Sequence, residues 1–276
     1  MSGMTNKSFL GRWLTLGCAL LLGCVGCASA RRGSAEVTVK MGGVERSNHA
    51  YGSETEQFGT LYRRPGQGAY RVVVLIHGGF WKQGYGLDLM TPLAEDLADR
   101  GFAVWNIEYR RVGQPGGGWR GTLDDVAAAV EFVPSLARTV EFEATDVSIV
   151  GHSAGGHLAL WLGGLGDLAV PIKIAIGQGP VSDLEAAARA NLGGGAVQSL
   201  LGGTPDQVPE RYRFAQPARS TGSTRQVAVV GHNDDIVPPE FSRGFETIEV
   251  PHTDHFDLID PASTAWATVI NLLGPT

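Results

Sequence analysis

The feature that most constrains this chain is an alternation of short apolar runs with longer amphipathic stretches. Arg71–Ile76, Phe102–Tyr109, Asp146–Val150, Ile172–Ile176, Gln226–Val230 and Phe245–Val250 are short, and several are β-branched and apolar on successive residues. A strand apolar on both faces belongs inside a parallel sheet covered by helices. The stretches between, Leu87–Arg100, Leu123–Ala137, Ala154–Leu165, Asp183–Ala190 and Pro261–Leu273, have helical spacing. Strand–helix alternation implies right-handed crossovers and a doubly wound α/β sheet. At 276 residues, 43% apolar and 18% charged, the chain suits one globular α/β domain, read here as residues 51–276. Ligands of such sheets sit beyond the carboxyl ends of the strands, so the chemistry is sought there.

After Asp146–Val150 comes Gly151-His152-Ser153-Ala154-Gly155, a G-x-S-x-G between an apolar strand and an apolar helix. The two glycines permit a strained strand-to-helix turn that lifts the serine Oγ clear of the sheet. Beside the helix N-terminus, the Ala154 N–H can face a developing oxyanion. After Arg71–Ile76 comes His77-Gly78-Gly79-Phe80-Trp81, whose glycines let backbone amides approach a substrate carbonyl. A general base is sought after Phe245–Val250, where His252 and His255 are the candidates. An acid to orient it is sought after Gln226–Val230, where Asp234 and Asp235 adjoin. The order Ser153, Asp, His is the one expected of a serine hydrolase with this elbow.

These motifs carry a family resemblance. The segment His77-Gly78-Gly79-Phe80-Trp81 resembles the HGGxW motif of kynurenine formamidases and related BD-FAE-like esterases of the α/β-hydrolase superfamily. Gly151-His152-Ser153-Ala154-Gly155-Gly156-His157-Leu158 is similar to their elbow, and Asp254-His255-Phe256-Asp257 to their histidine segment. The resemblance runs from about Tyr70 to Pro261. It implies an α/β-hydrolase fold with a small cap or none. It also implies Ser153 as nucleophile, His255 as base, and oxyanion donors at Gly79 and Phe80 besides Ala154. The acid segment Gly231–Pro238 fits the G-x-x-D-x-x-V-P register of many α/β-hydrolases, which selects Asp234, with Asp235 as the neighbouring alternative. One departure stands out: the helix usual between the last two strands shrinks to Pro238–Gly244.

Other polar and aromatic residues near the motifs have ordinary readings. His157 lies one turn along the nucleophile helix and reads as packing; His152 borders the pocket. Trp81 and Tyr85 line a pocket or the core. Glu108 and Arg110 read as structural contacts, and His232 as a surface residue or a visitor to the site. Residues 183–220, with Gly193-Gly194-Gly195, read as a small cap.

The N-terminus reads as an export signal over residues 1–27. Lys7 and Arg12 precede an apolar stretch, Trp13–Leu22, too short to cross a bilayer comfortably. Leu21-Leu22-Gly23-Cys24 resembles a bacterial lipobox with Cys24 as the lipidated residue. Cys27 is a second candidate, and simple secretion after Ala28-Ser29-Ala30 is the competing reading. Residues 28–50 follow as a polar, Gly-rich tether leading into a strand. All three cysteines (18, 24 and 27) fall in this segment, so the domain carries neither disulfide nor thiol chemistry, and no spacing resembles a zinc site. The net charge is −6, and removing the two cations of residues 1–30 leaves −8, which argues against a nucleic-acid surface. Membrane contact is expected only through the lipid anchor.

The expected activity is cofactor-free hydrolysis of a small ester through an acyl-enzyme. The alternatives are formamide hydrolysis of the N-formylkynurenine type, which the resemblance suggests and the export signal opposes, and a catalytically silent binding module.

Overall fold

The computed structural model describes residues 39–41, 43–66 and 68–276. The export signal with Cys24 and the start of the tether lie outside the described residues. Among the described residues nine strands form one sheet, in the order β1-β2-β3-β5-β4-β6-β7-β8-β9. They are β1 (Val39–Met41), β2 (Val44–Ala50), β3 (Phe58–Arg63), β4 (Ala69–Ile76), β5 (Ala103–Ile107), β6 (Glu143–His152), β7 (Ile172–Gln178), β8 (Arg225–Gly231) and β9 (Glu246–Val250). From β5 to β9 all pairings are parallel, and β1, β2 and β3 add antiparallel strands beyond β5.

Apart from the edge strand β9, the parallel strands are buried on both faces over most of their length, and β4 shows how. Val72, Val74 and Ile76 join a core with α2 (Gly121–Glu131), α3 (Val133–Thr139) and α4 (Ala154–Gly164). Val73 and Leu75 join the opposite core with α1 (Thr91–Asp99) and α8 (Thr264–Leu273). Successive side chains of a strand point to opposite faces, so a run such as Val-Val-Val-Leu-Ile stabilises two helix layers at once.

The structure departs from the sequence reading in several places. Residues 44–50, read as tether, form β2 and pair with β3 from Glu45 to Ala50, so the folded unit begins before Tyr51. Leu123–Ala137 is two helices that meet at Phe132, with Pro134 in the first turn of the second, where its missing N–H costs nothing. Leu87–Arg100 opens with a 3-10 turn, Leu87–Met90, and Pro92 then sits in the first turn of α1. The cap segment contains α5 (Leu184–Arg189), α6 (Ala196–Leu201) and α7 (Pro209–Ala215). The link between β8 and β9 follows the reading instead: the helix, expected to shrink to Pro238–Gly244, is a 3-10 turn, Pro239–Phe241.

Candidate active site

Strand β6 runs through Gly151 and His152 into the elbow, and α4 begins at Ala154. Ser153 sits between them at φ 56°, ψ −116°, a conformation L residues adopt only under constraint. Such a residue costs on the order of 1–3 kcal/mol. The surrounding packing offsets it: Leu158, Leu160 and Leu162 of α4 are fully buried, each worth roughly 1.5–3 kcal/mol. The elbow glycines are required by close approach. A Cβ on Gly151 would lie 2.1 Å from the Gly155 carbonyl oxygen, and one on Gly155 2.2 Å from that of Ile76. The helix therefore starts directly against the end of β4, where the glycine loop begins.

That loop turns through three successive positive-φ residues, Gly79 (103°), Phe80 (51°) and Trp81 (56°). Two buried anchors hold it. The Trp81 indole N–H donates to the Ala154 carbonyl at 3.2 Å, and its ring meets the edge of His157. His77 stacks on Tyr109 at 4.3 Å, donates from Nδ1 to the Gly78 carbonyl at 2.8 Å, and places Nε2 2.8 Å from Glu108 Oε1. Burial, the largest single influence, would raise the Glu108 carboxyl, but the bond from His77, the His77 charge, the Tyr109 amide and Arg111 together outweigh it and hold the carboxyl below its ordinary range. Among the described residues, neither the Gly79 nor the Phe80 amide donates to another protein group. The Ala154 N–H lies in the unpaired first turn of α4.

After β8, Asp234 is buried and Asp235 exposed. Asp234 Oδ1 accepts from the amides of Ile236 (3.1 Å) and Val237 (2.8 Å), and Oδ2 accepts from His255 Nδ1 at 2.7 Å. The pair sits in a niche that only glycine permits: a Cβ on Gly179, after β7, would fall 2.9 Å from Asp234 Oδ2 and 3.3 Å from His255 Nδ1. Sequence reasoning missed Gly179, whose signal was a glycine just beyond a strand end. His252 and His232 are exposed, the latter paired with Glu249.

Ser153 and His255 line one cavity of about 120 Å³ with Gly79, Phe80, Tyr85, Leu89, His152, Ile236 and Phe256. Leu89, Ile236 and Phe256 had not been singled out from sequence, although Phe256 adjoins the histidine. Larger grooves of about 630 and 520 Å³ lie elsewhere, one at the starts of β6 and β7 and one on the outside of α5 and α7. Neither brings a strained elbow serine together with a buried histidine–carboxylate pair, so chemistry rather than size selects the candidate site. His157 lies behind the elbow, its Nε2 donating to the Ala215 carbonyl at 2.8 Å; burial lowers its pKa to about 4. Arg110 pairs with the buried Asp125. Among the described residues no cluster of His, Cys, Asp and Glu could hold a metal ion, and no helix is long and apolar enough to cross a membrane.

Residues 61–248 match BD-FAE. The chain belongs to the BD-FAE family. A curated relative is the probable carboxylic ester hydrolase LipM of Mycobacterium tuberculosis, 31% identical over 102 residues. That match covers 36% of this chain and spans 23% of the length of LipM. Among solved structures, a truncated carbohydrate esterase from gut microbiota superposes with a TM-score of 0.68 at 20% identity, over 87% of this chain and 95% of that one. Esterase B from Lactobacillus rhamnosis gives 0.68 at 20% identity over 84% of each chain. At these identities the likeness shows the fold, which is that of the α/β-hydrolases, its mostly parallel sheet flanked by helices.

Proposed function

We propose that this family member is a serine carboxylesterase with Ser153 as nucleophile, His255 as general base and Asp234 as the acid that orients it. The observation that carries the reading is a strained elbow serine sharing one cavity with a histidine whose far nitrogen is bonded to a buried carboxylate. His255 takes the Ser153 proton at Nε2 as Oγ attacks the ester carbonyl. Asp234 accepts from Nδ1–H, which fixes the tautomer and stabilises the imidazolium. The carbonyl oxygen, now negative, is held by the amides of Gly79, Phe80 and Ala154. The tetrahedral centre then expels the alcohol, which takes the proton from His255. Water, deprotonated by the same histidine, cleaves the acyl-enzyme to release the acid. No step requires a cofactor.

The cavity is well below the roughly 300–1,000 Å³ of an ordinary ligand pocket. It therefore encloses a short acyl group and leaves the alcohol at the rim, where Tyr85 and Phe256 are exposed. Formamide hydrolysis is the second reading. It is favoured by the same small cavity, since a formyl group is the smallest acyl group, and by the HGGxW-like loop. From the lipobox-like Leu21-Leu22-Gly23-Cys24 we also infer the location: an exported lipoprotein anchored at Cys24, on the outer side of the cytoplasmic membrane, with secretion as the alternative.

The test compares wild type with Ser153→Ala on p-nitrophenyl acetate, p-nitrophenyl butyrate and N-formylkynurenine. Ester turnover that the variant lacks supports the esterase reading, and acetate should be preferred over longer chains. Preferential turnover of N-formylkynurenine puts the formamidase first. Equal inertness of both proteins on all three substrates overturns both readings.

A further inference from the structure

His152 occupies the variable position of the elbow, next to the nucleophile, and is 2% exposed. Its Nε2 lies 3.0 Å from the backbone carbonyl oxygen of His255, which can only accept, so Nε2 carries the proton. The two imidazole rings are 4.5 Å apart. On its other side the ring abuts the glycine loop: a Cβ on Gly78 would fall 2.9 Å from His152 Nδ1. That nitrogen has no hydrogen-bond partner, a cost that an apolar ring of similar size would avoid. What the imidazole adds over such a ring is the donor at Nε2.

The donor matters because of where His255 sits. It follows β9, the last strand of the sheet, whose residues before Val250 are exposed or half-buried, and only a 3-10 turn joins β9 to β8. In the loop after β9, Pro251, His252, Asp254 and Phe256 are exposed while Thr253 and His255 are buried, and the backbone bond nearest before His255 is the one from the Asn233 N–H to the Thr253 carbonyl at 2.9 Å. Asp234 fixes the His255 ring at Nδ1, but a ring held at one atom can still tilt if its backbone shifts. A bond from the elbow to the His255 carbonyl closes that freedom and refers the base directly to the strand that carries the nucleophile.

We propose that His152 is a positioning residue that ties the backbone of the base to the nucleophile elbow through its Nε2–H. The proposal rests on the serine-hydrolase reading given above for the consequences in turnover, but the tie itself exists without substrate. The charge state suits the role. Burial, and then proximity to His255, lower the His152 pKa to about 3, so the ring stays a neutral donor and adds no positive charge beside the imidazolium formed during catalysis.

The test uses His152→Phe, which keeps a ring but removes the donor, and His152→Gln, whose amide nitrogen can take the place of Nε2. Thermal midpoints establish that both fold. In His152→Phe, kcat on p-nitrophenyl acetate should fall about ten-fold or more with KM within about two-fold, since a misplaced base affects the chemical step more than binding. His152→Gln should restore kcat to within about three-fold of wild type. A second readout needs no turnover: the low-field proton resonance of His255 Nδ1–H bonded to Asp234 should be sharp in wild type and His152→Gln and broadened or lost in His152→Phe. If that resonance follows this pattern while wild type hydrolyses no ester or formamide, the tie stands and the serine-hydrolase reading fails. If folded His152→Phe keeps both the resonance and wild-type kcat, or if Gln and Phe are equally impaired, the proposal is overturned.

Discussion

The proposed nucleophile and the proposed acid–base pair sit on two differently built parts of one sheet. Ser153 lies at the centre, at the end of the ten-residue β6, flanked by β4 and β7 and followed by α4, of which all but Gly164 is buried. Asp234 and His255 lie toward the edge, after β8 and the five-residue β9, with a single 3-10 turn between those strands. The centre holds strain by enclosure: many buried contacts keep Ser153 at positive φ. At the edge Asp234 and His255 are buried too, but their orientation rests on a few directed hydrogen bonds, to Asp234 from two amides and His255, and to the His255 carbonyl from His152. Enclosure ties function to stability, whereas directed bonds can be cut one at a time. Central packing changes should therefore unfold the protein, while edge changes should disable it and leave it folded.

The largest expected effect is on rate. Ser153→Ala should lower kcat on p-nitrophenyl acetate by about 10⁶-fold with the urea midpoint close to wild type, because Cβ is kept and with it the elbow geometry. Asp234→Asn should lower kcat by about 10⁴-fold and Asp235→Ala by less than about two-fold, since only the former residue reaches His255. Equal losses in the two would break the comparison at the edge. Gly155→Ala should destabilise by about 3 kcal/mol in urea unfolding, because its Cβ meets the backbone of Ile76 and His77. A loss no larger than that of Asp234→Asn would show that the centre is not the more tightly packed part.

The smallest expected effect is in pH. His152 and His157 have folded pKa values of about 3 and about 4, both below the ordinary 6.5, chiefly through burial. The unfolded chain then binds the proton first. Stability is full above about pH 6.5 and falls as pH drops toward the folded values. Between pH 7 and 4.5 each histidine should account for about 2 kcal/mol of lost stability. Unfolding curves at the two pH values for wild type and His157→Gln check this, and an equal drop in both removes His157 from the account.

The sequence was most legible where structure is local. Asp146–Val150 and Ala154–Leu165 are β6 and α4 to within a few residues, because a β-branched apolar run, a Gly-bracketed serine and an apolar helix lie within twenty residues. The antiparallel strands β2 and β3 were not legible. Val44–Ala50 carries Glu45, Arg46, Ser47, Asn48 and His49, a polar set tolerated near a sheet edge, and Gly59 in β3 leaves room for the Trp105 ring. Helices α6 and α7 are six and seven residues long, too short for their spacing to declare them. The break at Phe132 was missed because the apolar spacing continues through it.

The sequence by itself determined the layered α/β architecture and pointed to the candidate serine elbow, glycine loop and histidine segment. Each is a short stretch whose residues dictate their own backbone. Tertiary structure settled Asp234, which the sequence register favours, over Asp235 as the aspartate that meets His255; it alone decided that Gly179 must be bare beside them and that the elbow histidine reaches the carbonyl of a residue 103 positions away. These are relations between strand ends distant in the chain. Asp234 and Asp235 are chemically identical neighbours, and only the turn after β8, set by its pairing with β9, directs one inward and the other to solvent.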